Sequence, residues 1–309
     1  MPIEVPNRDE WFPIASGLPQ PDWLAINEWL GNVVPPDHRD LALEQLTRHW
    51  LARLVDALGG AHTLHETKSF FLLSTRDVAG NKATIGMLDK TRDHVLATLG
   101  KAAGIKDTRK LIILRLISED ATWAVWASIQ PESPEAVEFF STGSWPVIFC
   151  EGHRPSGDYW RLVGSTVDHL LGYLPMPAWL YYSLGSALRV DLLGGRFATL
   201  DEELFDLHNH CWNAQSIQDF WSGKAFGDRD WGNLSYNLAC VFLDILHREL
   251  HPDYVKLQRF IQTASRADGG ESAAQRFFGV SLGEIAAVFL GDAADWTPRP
   301  ATWRKEENE

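Results

Sequence analysis

The sequence has little positive charge, few cysteines and no long apolar run, and each shortage excludes a class of protein. With 28 Lys and Arg against 41 Asp and Glu, the formal net charge is −13, which opposes binding to the phosphates of DNA or RNA. No stretch of about 18 uncharged apolar residues occurs, so we expect no membrane span. Three cysteines, widely spaced, are too few for a disulfide framework or a Cys-x-x-Cys zinc site.

The N-terminal residues lack the basic start and the apolar stretch of a secretory signal. An odd number of cysteines also suits a reducing compartment. Together these features predict a cytoplasmic protein.

The chain has 309 residues, 45% of them hydrophobic, which is enough for one large domain or two ordinary domains with a buried core. Fourteen Trp are scattered from Trp11 to Trp303 without a fixed period, which argues against a repeat architecture. We expect most of them in the core or at the ends of elements.

Apolar spacing predicts helices first, then strands with helices, then helices alone. A three- and four-residue apolar repeat predicts a helix from Asp37 that ends at Gly59. The other predicted elements are a strand over Thr63–Thr75, a helix over Ala83–Ala103, a central strand over Lys110–Ile117, a hairpin of Ala136–Phe140 and Pro146–Cys150, and helices from Asp158 to Leu290. This order predicts an α+β fold.

The predicted organisation has five parts. They are an N-terminal Pro-rich arm and helices over 1–61, a mixed sheet over 62–157, two helices over 158–200, a helical C-terminal subdomain over 201–291 and a flexible tail over 292–309.

The segment from Arg161 to Leu188 contains a histidine near the end of one predicted helix, a Pro-containing turn, and Pro-Ala-Trp-Leu at the start of the next. This frame resembles gluzincins, which are zinc metallopeptidases. Their first helix carries His-Glu-x-x-His, and their second starts Pro-x-Trp-Leu-x-Glu-Gly. The resemblance covers about residues 62–290 and implies a zincin-like mixed sheet with packed helices, followed by an all-helical C-terminal subdomain.

The frame matches the family, whereas the functional residues do not. When Pro177–Leu180 is laid on the second-helix motif and His169 on the second histidine, Ser165 replaces the first histidine. Thr166 then replaces the glutamate that polarises water, and Tyr182 replaces the third zinc ligand. A zinc hydrolase needs three protein ligands and a water, so the resemblance implies a degenerate member without a resident zinc or other cofactor.

We therefore expect a catalytically inactive pseudopeptidase that binds a polypeptide or protein partner. An extended peptide would add as a strand to the edge at Ala136–Ser141 and place a side chain over the vestigial positions Ser165, Thr166, His169 and Tyr182. The residues predicted to line this partner-binding cleft are Phe139, Ser141, Trp179 and Tyr181.

Two alternatives stay open. The first is a hydrolase, either with a relocated metal site that combines His169 with His153, His208 or His210, or metal-free with Ser165 or Ser183 beside His169. The second is a structural or assembly subunit that associates through its acidic surface and the arm over 1–36. Residues 207–212 are expected to form a helix end and its loop rather than a metal site.

Overall fold

The chain folds into two compact units, which are described separately: residues 1–90 with 107–166, and residues 91–106 with 167–309. The computed structural model describes residues 9–100, 110–116, 120–122, 124–125, 139–141, 146–151, 157–172, 174–197, 199–249 and 254–303. Helices and a small mixed sheet make the fold α+β, as predicted.

The strands and the first two helices belong to the first unit. Helices α3 and α4 begin in the first unit, and their last residues, from Thr91 and from Val167, belong to the second. The helices are α1 Trp23–Asn32, α2 Arg39–Leu58, α3 Val78–Leu99 and α4 Gly157–Leu171. The strands are β1 Ile14–Ala15, β2 Leu18–Pro19, β3 Thr63–Glu66, β4 Phe70–Ser74, β5 Leu111–Leu116, β6 Phe139–Ser141 and β7 Pro146–Glu151.

The main sheet has the strand order β3-β4-β5-β7-β6. The central strands β4, β5 and β7 are parallel, while the edge strands β3 and β6 run antiparallel to their neighbours. All six residues of β5 are buried, which explains why its sequence is apolar on both faces. The predictions of a central strand here and of a β6–β7 hairpin pairing are confirmed; residues 136–138 and 142–145 lie outside the described residues.

The prediction of one strand over Thr63–Thr75 is wrong, because the chain turns back within it. The Thr67 hydroxyl oxygen accepts hydrogen bonds from the backbone N–H groups of Ser69 and Phe70, at 3.2 and 2.9 Å. This side-chain turn separates β3 from β4 and produces an antiparallel hairpin. A short polar turn inside an apolar run gives only a weak signal in the sequence.

Helix α3 starts and ends earlier than predicted. The Asp77 carboxylate accepts a hydrogen bond from the Gly80 N–H at 2.7 Å and caps the first turn. At the other end, Gly100 has a φ of +67°, a conformation in which glycine commonly ends a helix. The helix therefore ends at Leu99 rather than near Gly104.

The Pro-rich N-terminal arm, for which a position on the surface of the domain was predicted, instead buries several of its side chains from Trp11 onward. Trp11, Phe12 and Trp29 are buried in the core of the first unit. The Trp50 indole N–H of α2 donates to the Pro19 carbonyl at 3.1 Å. The segment is thus part of the core, because its aromatic side chains find apolar partners on α2; residues 1–8 lie outside the described residues.

Edge strand β3 carries an ion-pair cluster. Glu66 on β3 bonds the Arg48 guanidinium of α2 at 2.6 and 2.7 Å and the Lys110 ammonium at 2.6 Å. The hydrogen bonds from Arg48 and then Lys110 lower the pKa of Glu66 to about 2. Charged side chains of this kind oppose the addition of a further strand at an edge.

The second unit is helical in the part of it that the structure describes. Beyond the final turns of α3 and α4, its helices are α5 Ala178–Leu193, α6 Glu202–Cys211, α7 Ser216–Ser222, α8 Gly232–Glu249, α9 Tyr254–Thr263, α10 Glu271–Phe278 and α11 Leu282–Leu290. The predicted helical pattern up to Leu290 is confirmed.

Aromatic rings fill the core of this unit. Trp179 of α5 meets Trp221 of α7 edge to face, with ring centroids 6.0 Å apart, and Trp221 stacks on Phe242 of α8 at 5.5 Å. Phe260 of α9 lies 6.2 Å from Trp179. The rings link four helices, and such pairs add to the free energy gained from area burial.

The flexible tail predicted over 292–309 is instead packed as far as Trp303. The buried Gln218 side chain bonds the Thr297 carbonyl, the Arg299 N–H and the Trp303 indole N–H, at 3.0, 2.7 and 3.1 Å. Trp296 is buried, and its carbonyl accepts the Trp221 indole N–H at 2.8 Å. We call Asp292–Trp303 the C-terminal strap; residues 304–309 lie outside the described residues.

Among the residues described, no single helix combines the length and the apolar run that crossing a membrane requires. The helices Glu271–Phe278 and Leu282–Leu290 meet that criterion only as a pair, with a bend of 89° between them.

Candidate functional site

The two helices that carry the resemblance occupy the predicted positions. Helix α4 ends at Leu171, where Gly172 follows, and α5 begins at Ala178 directly after Pro177. Pro177 has an extended backbone conformation, with φ −59° and ψ 150°. Because proline disfavours a helical conformation in the residue before it, the prolines at 175 and 177 separate the two helices.

The substituted positions of α4 fall on both sides of the unit boundary. In the first unit, Thr166 is fully buried and its hydroxyl donates to the Leu162 carbonyl one turn earlier, at 2.7 Å. Ser165 beside it is half-buried. In the second unit, His169 is buried. The Thr166 hydroxyl is therefore occupied within its own helix rather than available to polarise a water.

Tyr182, which the resemblance aligns with the third zinc ligand, belongs to an aromatic cluster. Its ring stacks on Phe226 with centroids 4.8 Å apart and an interplanar angle of 12°. The rings of Tyr181 and Tyr236 approach it edge to face at 5.3 and 6.3 Å. This face of Tyr182 is used for packing, although 36% of the residue remains exposed.

A polar triad of Asp168, Arg189 and Tyr181 joins α4 to α5. The Arg189 guanidinium forms an ion pair with the Asp168 carboxylate, and the Tyr181 hydroxyl also acts on the pKa of that carboxyl. Burial raises the pKa of Asp168, although Arg189 and Tyr181 act in the opposite direction. Burial and then the Asp168 charge raise the pKa of Tyr181 well above its usual value. Tyr181 therefore remains a neutral phenol.

The prediction that Trp179 lines a binding cleft is wrong. Its side chain has no exposed surface, and its indole N–H donates to the Gly269 carbonyl at 2.8 Å. The partly buried Tyr181 ring is turned toward Asp168 and Tyr182. The Pro-x-Trp-Leu motif thus serves the core of the second unit.

Two of the histidines proposed for a relocated metal, His208 and His210, already form hydrogen bonds within the second unit. The Trp212 indole N–H donates to Nδ1 of His208 at 2.9 Å, so Nε2 carries the proton and donates to the Asn237 side-chain oxygen at 3.0 Å. Burial lowers the pKa of His208, which keeps the ring neutral. Nδ1 of His210 lies 2.7 Å from the Asp206 carbonyl. His153 lies outside the described residues.

The residues that the resemblance aligns with the zinc site of gluzincins do not form a zinc ligand set. At the position aligned with the third ligand, the Tyr182 ring is stacked on Phe226, and Thr166, aligned with the water-polarising glutamate, is bonded within its helix. The neighbouring Asp168 carboxylate is paired with Arg189. Within the described part of the chain, no group of three or more His, Cys, Asp and Glu side chains is placed to hold a metal ion. His208 and His210 lie in the last turn of α6, which ends at Cys211, so residues 207–212 form a helix end as predicted.

The strand predicted to serve as a docking edge is an edge strand of the sheet in the first unit. Strand β6 pairs antiparallel with β7 in the register Phe139↔Ile148, Phe140↔Val147 and Ser141↔Pro146. It is the last strand in the sheet order, so β7 is its one neighbour among the described strands. The N–H and C=O groups on its other side are the groups that a docked strand would use.

The sequence did not reveal the side chains that contact Asp168 and Tyr182. Arg189, Phe226 and Tyr236 lie 21, 44 and 54 positions from the residues they contact. Neither helical nor strand spacing signals contacts of that separation.

Comparisons of the chain with protein-family models, with curated proteins and with solved structures found no match.

Proposed function

We propose that this chain is a zincin-like pseudopeptidase that binds an extended polypeptide by strand addition at β6. The observation that carries the proposal is the sheet order, which leaves the short antiparallel strand β6 at one edge. The opposite edge, β3, carries the Glu66 cluster with Arg48 and Lys110, which disfavours pairing there. Strand addition is a common mode of peptide recognition.

Loss of the zinc chemistry is compatible with a stable fold. Thr166 and Tyr182, in place of the two glutamates of the family motif, remove the cost of burying carboxylates without a cation. The core of each unit is built from large apolar clusters, unlike a zinc finger, whose fold depends on the ion.

The first prediction concerns metal content. Tag-free protein purified without chelator should contain almost no zinc by elemental mass spectrometry, because the family positions lack a ligand set. Added zinc should leave its thermal midpoint unmoved. About one zinc per chain, lost in His169→Ala, would contradict the pseudopeptidase proposal and favour the hydrolase alternative.

The second prediction tests the docking edge with immobilised peptides of about ten residues in which apolar and polar residues alternate. Peptides that bind the parent protein are then tested on the double variant Phe139→Glu/Ser141→Arg. It should bind them at least about tenfold more weakly, because charges on an edge strand oppose pairing. The matched control is Thr63→Arg on the exposed end of the opposite edge strand, which should bind like the parent.

Methylation of the peptide backbone separates strand addition from other binding. Alternate N–H groups of a docked strand face the sheet, so methylating that half should weaken binding about tenfold, given about 1 kcal/mol for each lost hydrogen bond. Methylating the other half should have little effect. Equal effects of the two methylated sets, or unchanged binding by the double variant, would overturn the strand-addition model.

A further inference from the structure

The second unit contains a cavity of about 220 Å³ among the end of α3, α5, α8 and α9. Its wall is mostly apolar, and the leucines that form it include Leu184, Leu188 and Leu243, all less than 5% exposed. The cavity lies within one unit and uses none of the residues assigned to the docking edge.

The polar part of the wall is acidic. Asp191 on α5 and Asp244 on α8 line the cavity together with His247. Neither Lys nor Arg occurs among the described residues that line it. A site with an apolar wall and a few placed charged groups is typical of small-molecule binding.

Each of the two carboxylates has a basic neighbour, and neither pair is fully buried. Asp244 pairs with Arg248 at 2.8 Å, but the Arg248 side chain is 74% exposed, so water screens that pair. Asp191 is 60% exposed and lies 3.6 Å from the His94 imidazole, which carries charge only when protonated. A cation held between apolar surface and these carboxylates would be screened less than one in open solvent.

We propose that this cavity binds an organic cation with a compact apolar body, of the class of alkyl and arylalkyl amines. The apolar body occupies the leucine-lined wall, and the ammonium group lies at Asp191 and Asp244. The carboxylates supply the specificity for charge, while burial of the apolar body supplies most of the affinity. This proposal does not rest on strand addition at β6.

The test compares three probes with the same carbon chain, which are hexylamine, hexanol and hexanoate. Each is titrated into the full chain, and dissociation constants are taken from the shifts of backbone amide signals in NMR spectra. We expect hexylamine to bind about three- to tenfold more tightly than hexanol, as for a partly exposed ion pair. Hexanoate should bind more weakly than hexanol, because its charge is repelled.

Two variants separate the charge from the cavity. Asp191→Asn/Asp244→Asn should bind hexylamine and hexanol about equally, whereas the control Asp206→Asn/Asp219→Asn, on exposed residues outside the cavity, should keep the preference. Ala187→Phe places a ring in the cavity wall and should abolish binding of all three probes.

Thermal midpoints of all variants exclude unfolding as the cause, and the Asn variants test the proposal even if Ala187→Phe fails to fold. The proposal is overturned if no probe binds, if hexanol or hexanoate binds as tightly as hexylamine, or if the preference for the amine survives in Asp191→Asn/Asp244→Asn.

Discussion

Trp179→Ala is expected to lower the free energy of unfolding by about 3–5 kcal/mol, the usual cost of removing a large buried aromatic side chain. The Trp179 ring has no exposed surface and contacts Trp221 and Phe260. Its removal leaves a cavity among packed helices and a Gly269 carbonyl without its donor. Urea unfolding followed by far-ultraviolet circular dichroism measures the loss.

Two further variants divide this cost into its parts. Trp179→Phe keeps most of the ring contacts but removes the indole N–H, so we expect a smaller loss of about 1–3 kcal/mol. Trp160→Ala, at a tryptophan that is 55% exposed, should change stability by less than about 0.5 kcal/mol. If Trp179→Ala cost no more than Trp160→Ala, the proposed role of Trp179 in the core would be wrong.

Arg189→Met is expected to lower the free energy of unfolding at pH 8 by about 1–3 kcal/mol. The variant leaves the Asp168 carboxylate without its cation, and loss of one partner of a buried pair commonly costs about 3–5 kcal/mol. Both side chains are about a quarter exposed, so water reduces that cost. Methionine keeps much of the apolar stem of arginine.

The loss should depend on pH with a definite sign. Burial already raises the pKa of Asp168, and removal of Arg189 eliminates an influence that lowers it. A carboxyl group whose pKa is higher in the folded than in the unfolded chain stabilises the fold fully at pH values below its unfolded pKa, which is about 3.9 for Asp. That contribution is lost as the pH rises through the folded pKa. The deficit of Arg189→Met should therefore be smaller at pH 4.5 than at pH 8.

The double variant Asp168→Asn/Arg189→Met provides the control. It removes the titrating carboxylate together with its partner, so it should recover part of the stability at pH 8 and lose the pH dependence of the single variant. An equal deficit of Arg189→Met at both pH values would show that the lost contribution is packing rather than charge.

Local signals in the sequence predicted the elements that local chemistry determines. The apolar period of α2 and its stop at Gly59, the two-sided apolar run of β5 and the prolines before α5 were sufficient for those elements. The α+β class followed from their order along the chain.

The errors share a different physical origin, which is contact between residues distant in sequence. The N-terminal segment is rich in proline, but Trp11 and Phe12 become core residues because α2 offers them an apolar face. The strap resembles a polar tail, yet Gln218 and Trp221 lie about 75 to 85 positions away and bond to it. No periodic pattern contains that information.

The candidate site likewise has features that the sequence predicted and features that depend on distant contacts. The resemblance aligned Thr166 with the catalytic glutamate of a metallopeptidase and Tyr182 with its third zinc ligand. The Leu162 carbonyl and the Phe226 ring, which contact these two side chains, could be found only in the fold. The docking edge at β6 could be predicted because a hairpin is local, whereas its place in the strand order could not.

The strap also constrains how the protein can be made. A nascent chain that has reached Gly291 contains all the α-helices in the described part of the second unit. The buried amide of Gln218 and the indole N–H of Trp221 still lack their acceptors at that point. The core therefore closes only after Trp296 and Trp303 have left the ribosome. Until then, we expect the aromatic side chains beneath the strap to remain in contact with water.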